Sequence, residues 1–260
     1  FSGEERYKVS RIEDTCYQVC WALIEQVRSG AVKESRYEVP FGRKYELAPI
    51  EVECGDEAVC IEGKIDRLDI LENDRVKIID YKTGKENFNI YETRGGYRLQ
   101  LMLYLKAAQE KHRKPAGVFY FLIGDPRVYF TGTETEKISE KISKEMRKSF
   151  RLNGIMVNDR RVIRDIAGEF EGYSDIVPLR SGKDGIKGTS QDFLLEEEEF
   201  SALQEAVDGQ IKKLCRQLAD GRVSIAPKKT ERESPCTYCP YKSICRFDLA
   251  FPGCNYEIIK

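Results

Sequence analysis

The chain has 260 residues, of which 41% are hydrophobic, with 43 lysines and arginines against 44 aspartates and glutamates. This composition supports a packed core and excludes a mainly disordered chain, and no apolar run approaches the ~20 residues of a membrane-spanning helix. Because the net charge is only −1, bulk basicity is excluded as a means of binding nucleic acid, and an anionic partner must contact a local patch.

The first 35 residues, 1–35, form a predicted helical segment. Apolar residues recur every three or four positions over 9–27, which is the spacing of a helix with one buried face. The chain begins with Phe1 rather than Met and carries no signal peptide, so we expect a piece of a longer, cytoplasmic protein. In that compartment its nine cysteines are expected to be free, catalytic or bound to metal.

A mixed α/β region is predicted over 36–152. Strand-like stretches come first, a helix over 97–111 follows, and a long apolar run after it is typical of a buried strand. The predicted strands lie at 36–41, 44–53, 58–71, 75–82, 116–124 and 127–131, and a charged helix lies at 134–151. Because strands and helices do not alternate, the pattern predicts a mixed central sheet flanked by helices rather than a parallel βαβ array.

Two further segments complete the predicted organisation. Residues 153–195 are rich in glycine and charge, which indicates an insertion or a lid. The region 196–260 begins with a helix over 196–220 and ends in a loop that contains several cysteines. The apolar stripe of that helix is predicted from Phe200, Leu203, Ala206, Ile211, Leu214 and Leu218.

A β-hairpin is predicted from the segment IEGKIDRLDILENDRVKIIDYKTG. If its turn has three residues, Leu68 faces Ile78 and Asp66 faces Asp80 on one side of the hairpin. A two-residue turn would split the apolar pairs between the two faces, so the alternation rule favours the three-residue register. The sequence therefore predicts two carboxylates side by side at the end of an apolar face, with Lys82 on the same side.

Asp66 and Asp80 are candidate metal ligands. Two carboxylates about 5 Å apart repel each other unless a cation lies between them, and hard oxygen ligands suit Mg²⁺ or Mn²⁺. A lysine such as Lys82 beside the ion can position water and stabilise charge on a phosphate, while the ion lowers the pKa of bound water. These residues are candidate catalytic groups for phosphodiester hydrolysis; the plain alternative is an ordinary charged surface hairpin.

The motifs G-x-x-D-R, ending just after Asp66, and D-Y-K-T-G, starting at Asp80, resemble the RecB-like branch of the PD-(D/E)xK nuclease superfamily. A second hallmark of that branch is a helix carrying Q-x-x-x-Y, which Gln100 and Tyr104 match. The resemblance implies a PD-(D/E)xK core, Mg²⁺-dependent DNA cleavage and a catalytic role for both residues. It also places their helix beside DNA, where the expected DNA contacts are Arg94, Arg98 and Gln100.

The tail contains a candidate cluster site at Cys236, Cys239 and Cys245, spaced C-x2-C-x5-C. Three thiolates within ten residues indicate a soft metal site. A zinc ribbon fits poorly because there is no second CxxC pair and His112 is the one histidine. A [4Fe–4S] cluster with a distant fourth ligand is therefore favoured over zinc and over unligated cysteines.

A RecB-like nuclease that ends in C-x2-C-P-Y-x3-C resembles the C-terminal region of the AddB/RexB family of bacterial helicase–nucleases. In that family the fourth cluster cysteine lies upstream of the nuclease core, so the resemblance implies an intact [4Fe–4S] cluster in the longer parent chain. Within this chain the alternative fourth ligands are Cys16, Cys20 and Cys254, although the first two are expected to pack on a helix face. The remaining cysteines are predicted core residues, namely Cys54, Cys60 and Cys215.

The resemblance also implies a biological setting. It predicts the processing of double-strand DNA ends for recombinational repair, in a Gram-positive bacterium, with an AddA-like helicase–nuclease as the partner that cuts the other strand. No membrane partner is expected. Three alternatives stay open: a CRISPR-associated RecB-like exonuclease, a catalytically silent DNA-end-binding module and a zinc-binding interaction domain. The retained Asp66, Asp80 and Lys82 disfavour the silent module.

Overall fold

The structure is a computed structural model that describes residues 2–84, 86–109, 113–124, 138–190, 192–231 and 233–259. Its helices are α1 (Gly3–Ser29), α2 (Ile90–Arg94), α3 (Gln100–Ala108), α4 (Ile138–Ser149), α5 (Arg160–Ala167), α6 (Glu197–Ala219) and α7 (Lys242–Cys245), with a 3₁₀ turn at Pro235–Thr237. Its strands are β1 (Val32–Phe41), β2 (Ile50–Cys54), β3 (Glu57–Ile61), β4 (Gly63–Leu71), β5 (Val76–Lys82), β6 (Pro115–Leu122), β7 (Asn153–Val157), β8 (Leu179–Gly182), β9 (Gly185–Gly188), β10 (Leu194–Leu195), β11 (Lys228–Lys229) and β12 (Glu257–Ile258). Among the helices in these ranges, none is long and apolar enough to cross a membrane.

The central sheet of the described chain has six strands in the order β1-β4-β5-β6-β7-β10. The pairs β5–β6 and β7–β10 are parallel, and the other neighbouring pairs are antiparallel. The predicted α/β class, with a mixed central sheet flanked by helices, is therefore confirmed.

Helices cover both faces of this sheet and create two hydrophobic cores. On one face Leu68 and Ile78 pack with Leu101 of α3 and with the buried side of α6. On the other face Ile79 packs with Val162 of α5 and with part of α1. Because successive strand residues point to opposite faces, residues that share the alternation of Leu68 and Ile78 lie on the α3 side.

The β4–β5 hairpin has the predicted three-residue register. Leu68 pairs with Ile78 and Ile70 with Val76, and the amide of Leu71 donates to the carbonyl of Arg75 over 2.9 Å. The prediction from apolar pairing is therefore confirmed, and continuing the register places Asp66 opposite Asp80.

The segment 153–195 differs from the predicted insertion or lid because parts of it belong to the central sheet. β7 pairs along β6, and β10 adds the next strand. In between, Ile163 and Ile166 of α5 are buried in the second core. β7 and β10 are too short to show the alternating pattern of a strand, and β7 contains a glycine. Their place in the sheet is defined by pairing with strands that are distant in sequence.

On α1 and α6, the apolar faces predicted from the sequence include residues that the structure leaves exposed. Cys16 and Cys20 of α1 are exposed, so the expectation that they pack is wrong. On α6, Leu203 is buried as predicted, but Leu214 and Leu218 are 38% and 69% exposed. The predicted strand at 127–131 lies outside the described residues.

Candidate active site

Asp66 and Asp80 lie near the end of the hairpin, next to α3. Asp80 is 1% exposed, and its strand alternation with Ile78 directs it to the α3 side. Asp66 accepts a hydrogen bond from the amide of Tyr81, with 2.9 Å between N and Oδ2. The two carboxylates interact electrostatically with each other and with Tyr104, as the hairpin register predicts.

Lys82 joins the carboxylates to α3. Its Nζ lies 2.7 Å from Asp80 Oδ2 and donates over 2.8 Å to Gln100 Oε1. The Gln100 side-chain amide in turn donates to the Tyr104 hydroxyl over 2.7 Å. Gln100 and Tyr104 are one helical turn apart, so α3 presents both from one face, and the structure brings together the five residues that the sequence selected.

Burial shapes the protonation of this site. Desolvation raises the pKa of Asp80, and the negative charge of Asp66 adds to this shift, although the Lys82 ammonium acts against it. Burial also raises the pKa of Tyr104; the hydrogen bond from Gln100 acts against this shift, and the nearby carboxylates add to it. Tyr104 is therefore a neutral hydroxyl at physiological pH.

Tyr120 is a site residue that the sequence analysis missed. It pairs with Asp80 on the neighbouring strand β6, and the Lys82 ammonium lies 5.6 Å from the centroid of its ring. Burial raises the pKa of its hydroxyl, so the ring is a neutral platform that favours the cation. The available signal was the single hydroxylated residue in the run Val118, Phe119, Tyr120 and Phe121.

Glu38 lies on β1 between the residues that pair with Arg67 and Ile65, which places it across from Asp66. Its side chain forms an ion pair with Lys64. Its φ of 51° is in the left-handed region, which is uncommon for a residue with a side chain. Glu38 therefore belongs to the rim of the site rather than to the group around Lys82.

The two predicted DNA-contacting arginines differ in their surroundings. Arg94, at the end of α2, is exposed. Arg98 instead lies among carboxylates: its Nε is 3.3 Å from Glu86 and 3.8 Å from Glu92, and its guanidinium donates to Glu233. Its positive charge is therefore largely balanced by these carboxylates of the protein.

Comparisons with known proteins show the family of this chain. A model of the PD-(D/E)XK nuclease superfamily matches residues 1–246. The chain belongs to this superfamily. Three curated relatives are each named as the B subunit of an ATP-dependent helicase/deoxyribonuclease, and they come from Caldanaerobacter subterraneus subsp. tengcongensis, Clostridium tetani and Clostridium acetobutylicum.

Identity to these relatives is 34%, 34% and 36%, over 100%, 99% and 92% of the chain and over 23%, 23% and 21% of the relatives. The chain therefore spans about a quarter of the length of the curated relatives it matches. The resemblance to the AddB family of helicase–nucleases, inferred from the motifs, is confirmed. A solved structure titled "Crystal structure of SSO0001" matches 55% of the chain and 63% of its own length at 17% identity, with a TM-score of 0.27.

PD-(D/E)XK nucleases generally use divalent metals, and the oxygen atoms of this site fit such an ion. Asp80 Oδ2 is buried and forms an ion pair with Lys82. Within the described part of the chain, no donor has the geometry of a hydrogen bond to this oxygen. A desolvated carboxylate beside a second carboxylate is stabilised by a further positive charge. Asp66 and Asp80 are therefore the residues that could hold Mg²⁺ or Mn²⁺ in this PD-(D/E)XK site.

The predicted cluster cysteines line one open groove of about 1300 Å³ beside the PD-(D/E)XK core. Cys236, Cys239 and Cys245 share this groove with Tyr97 and Arg98. Across the ranges that the structure describes, no three histidine, cysteine or acidic side chains are grouped closely enough to hold a metal. All nine cysteines are free; Cys215 is buried as predicted, whereas Cys54 and Cys60 are half-buried.

Proposed function

We propose that this PD-(D/E)XK domain is a Mg²⁺- or Mn²⁺-dependent deoxyribonuclease that acts as an exonuclease on DNA ends. The observation that carries the proposal is the contact chain from Asp80 through Lys82 to Gln100, with 2.7 Å and 2.8 Å separations. It unites the hairpin motif and the helix motif, which are separate in sequence, around two carboxylates. A surface hairpin of unrelated charges would have no reason to bury Asp80 next to Asp66.

Each side chain has a distinct role in this proposal. A divalent ion held by Asp66 and Asp80 would lower the pKa of water and neutralise charge on the scissile phosphate. The Lys82 ammonium orients the attacking water and stabilises negative charge that develops on the phosphate oxygens. Gln100 fixes the direction of that ammonium, and Tyr104 fixes Gln100.

DNA contacts are assigned by exposure and charge. Exposed Arg94 is suited to a phosphate of the bound strand, and Gln100 is close enough to the site to contact the same strand. Arg98 contributes less to DNA binding than the sequence predicts, because three carboxylates already surround it. Its main effect is to connect the segment after β5 to the cysteine loop.

The proposed setting is a helicase–nuclease that processes double-strand DNA ends for recombinational repair. The names of the curated relatives support it and favour it over a CRISPR-associated nuclease. In this setting an AddA-like helicase–nuclease is the partner and cuts the opposite strand.

Strand-specific cleavage by the complete two-subunit complex tests the nuclease assignment. With each strand end-labelled separately, Lys82→Ala is expected to lower cleavage of one strand by at least 10²-fold while DNA-end binding is retained. Lys106→Ala is the matched control, because Lys106 also pairs with an aspartate, Asp208, but does so at 38% exposure away from the site. Unchanged cleavage of both strands by the Lys82 variant would refute the assignment.

We also propose that Cys236, Cys239 and Cys245 bind a [4Fe–4S] cluster in the longer parent chain, with a fourth ligand outside this chain. Their shared groove supports this. Anaerobic purification of the parent chain should yield iron and sulfide in equal amounts and a visible absorption band, both lost in Cys239→Ser but kept in Cys16→Ser. Zinc in place of iron would contradict the cluster.

A further inference from the structure

A buried ion cluster lies behind the catalytic hairpin, on the sheet face opposite α3. Arg67, Asp69 and Lys77 are 1%, 0% and 2% exposed. Arg67 Nε and Lys77 Nζ each lie 2.8 Å from an Asp69 oxygen, and the Ser35 hydroxyl donates to Asp69 over 2.8 Å. These charges take no part in the proposed chemistry.

The cluster needs an explanation other than stability. Removing charged groups from water has a large free-energy cost, and apolar residues of similar volume at such positions are often at least as stabilising. What a buried ion cluster can supply is a fixed orientation. Here Asp69 accepts a hydrogen bond from Arg67 and forms an ion pair with Lys77, so the planar guanidinium of Arg67 is held in one direction.

Arg67 uses this fixed orientation to hold Tyr81. Its guanidinium interacts electrostatically with the Tyr81 hydroxyl and also lies 5.7 Å from the centroid of the Tyr37 ring. The Tyr81 ring packs edge-on against Phe121, with 5.8 Å between centroids and 87° between planes. The side chain of Tyr81 is thus held by its interaction with Arg67 and by an aromatic contact.

The backbone of Tyr81 is part of the active site. Its amide donates over 2.9 Å to Asp66 Oδ2, and Tyr81 is the residue between Asp80 and Lys82. One residue therefore joins the anchored side chain behind the sheet to the three catalytic groups in front of it. A shift of the Tyr81 ring would move the amide that holds Asp66.

We propose that Arg67 and Tyr81 are positioning residues that set the Asp66 and Asp80 carboxylates for metal binding. The inference rests on the proposed function, because it assumes that these carboxylates hold the ion. Neither residue touches substrate. Both act through the Tyr81 main chain, and the Asp69–Lys77 pair holds Arg67 in place.

Tyr81→Phe tests the proposal because it removes only the hydroxyl. Manganese binding to the complete complex is measured by the electron paramagnetic resonance signal of free Mn²⁺, and cleavage is measured over a range of Mn²⁺ concentrations. We expect a roughly 10-fold weaker Mn²⁺ affinity, the lower end of the effect of removing an indirect metal-site partner. The cleavage rate should recover at saturating Mn²⁺. A residue with a purely structural role would lower thermal stability and leave the affinity of the folded protein unchanged.

Tyr37→Phe is the matched control. It also removes a hydroxyl from an aromatic residue against Arg67, but the Tyr37 side chain is 58% exposed and contacts Arg67 through its ring. Its Mn²⁺ affinity should equal that of the wild type. Arg67→Lys, which keeps the charge but loses the planar fork, should weaken Mn²⁺ binding at least as much as Tyr81→Phe.

The outcomes separate this inference from the proposed function. Wild-type protein that binds Mn²⁺ while Tyr81→Phe binds it equally well would overturn the positioning role alone. Wild-type protein whose Mn²⁺ binding is insensitive to Asp80→Asn would overturn the proposed function, and the positioning role with it. If the Arg67→Lys variant does not fold, the Mn²⁺ affinity of Tyr81→Phe decides whether the positioning role holds.

Discussion

At the scale of single residues, the contacts of Lys82 distinguish it from an ordinary surface lysine. An exposed lysine–carboxylate pair contributes little to stability or specificity, and D-x-K is a common combination. Here Asp80, Gln100 and the Tyr120 ring surround the Lys82 ammonium. Its position is defined on three sides, which is what a group that must meet a phosphate requires.

Loss of the Gln100 contact should therefore lower cleavage without removing DNA binding. We expect Gln100→Ala to reduce the rate 10- to 100-fold, the range typical of partners that orient metal-site groups. Tyr104→Phe should have a smaller effect, because Tyr104 contacts Lys82 only through Gln100. Single-turnover cleavage at saturating DNA measures both, and equal rates for wild type and Gln100→Ala would contradict the orienting role.

The buried Asp80 should make the metal-free protein less stable at neutral pH. Because its pKa is raised in the folded state, the folded protein keeps this proton to a higher pH than the unfolded chain. Stability therefore falls as pH rises from about 3.9, the ordinary aspartate value, through the raised pKa, and stays lower above it. Asp80→Asn should raise the free energy of unfolding by roughly 0.5–2 kcal/mol at pH 7 and by less at pH 4.

Chemical denaturation in chelator, at both pH values, measures that difference. Added Mg²⁺ should stabilise the wild type but not Asp80→Asn, because a ligand stabilises only the state that binds it. Asp208→Asn on the surface of α6 is the control. It should be as stable as the wild type at pH 7 and should still be stabilised by Mg²⁺. A less stable Asp80→Asn protein at pH 7 would contradict the electrostatic account.

At the scale of elements, β7 shows why the segment after 152 is part of the core. Gly154 pairs with Phe119 on β6, and a Cβ at this position would lie 1.9 Å from the Val118 carbonyl oxygen. Only glycine permits so close an approach. An insertion or a lid would carry no such constraint.

The two glycines Gly154 and Gly209 should respond in opposite ways to alanine. Gly154→Ala must separate β6 from β7 and should destabilise the chain by roughly 3 kcal/mol or more, as large steric conflicts in a core do. Gly209 lies inside α6, where a Cβ meets nothing within 4 Å, so Gly209→Ala should stabilise by roughly 0.5–1 kcal/mol. Urea denaturation compares them, and a neutral Gly154→Ala would indicate that β7 is not integral.

At the scale of the whole molecule, local spacing predicted which candidate residues lie together. The turn length of one hairpin fixed the faces of Asp66 and Asp80, and one helical turn placed Gln100 beside Tyr104. Features set by distant partners were not predictable. The sequence predicts that Arg98 contacts DNA, but in the structure Arg98 pairs with Glu233, which is 135 residues away. Tyr120 lies beside Lys82 because β5 pairs with β6.

The most direct test of the metal centre is a Mn²⁺ titration of the complete complex, comparing wild type with Asp66→Asn, Asp80→Asn and the surface control Asp208→Asn. If Asp66 and Asp80 jointly hold the catalytic ion, each of their variants should lose the same Mn²⁺ site and with it cleavage of one DNA strand, while Asp208→Asn keeps both. Unchanged Mn²⁺ stoichiometry and cleavage in the Asp66 and Asp80 variants would contradict the account.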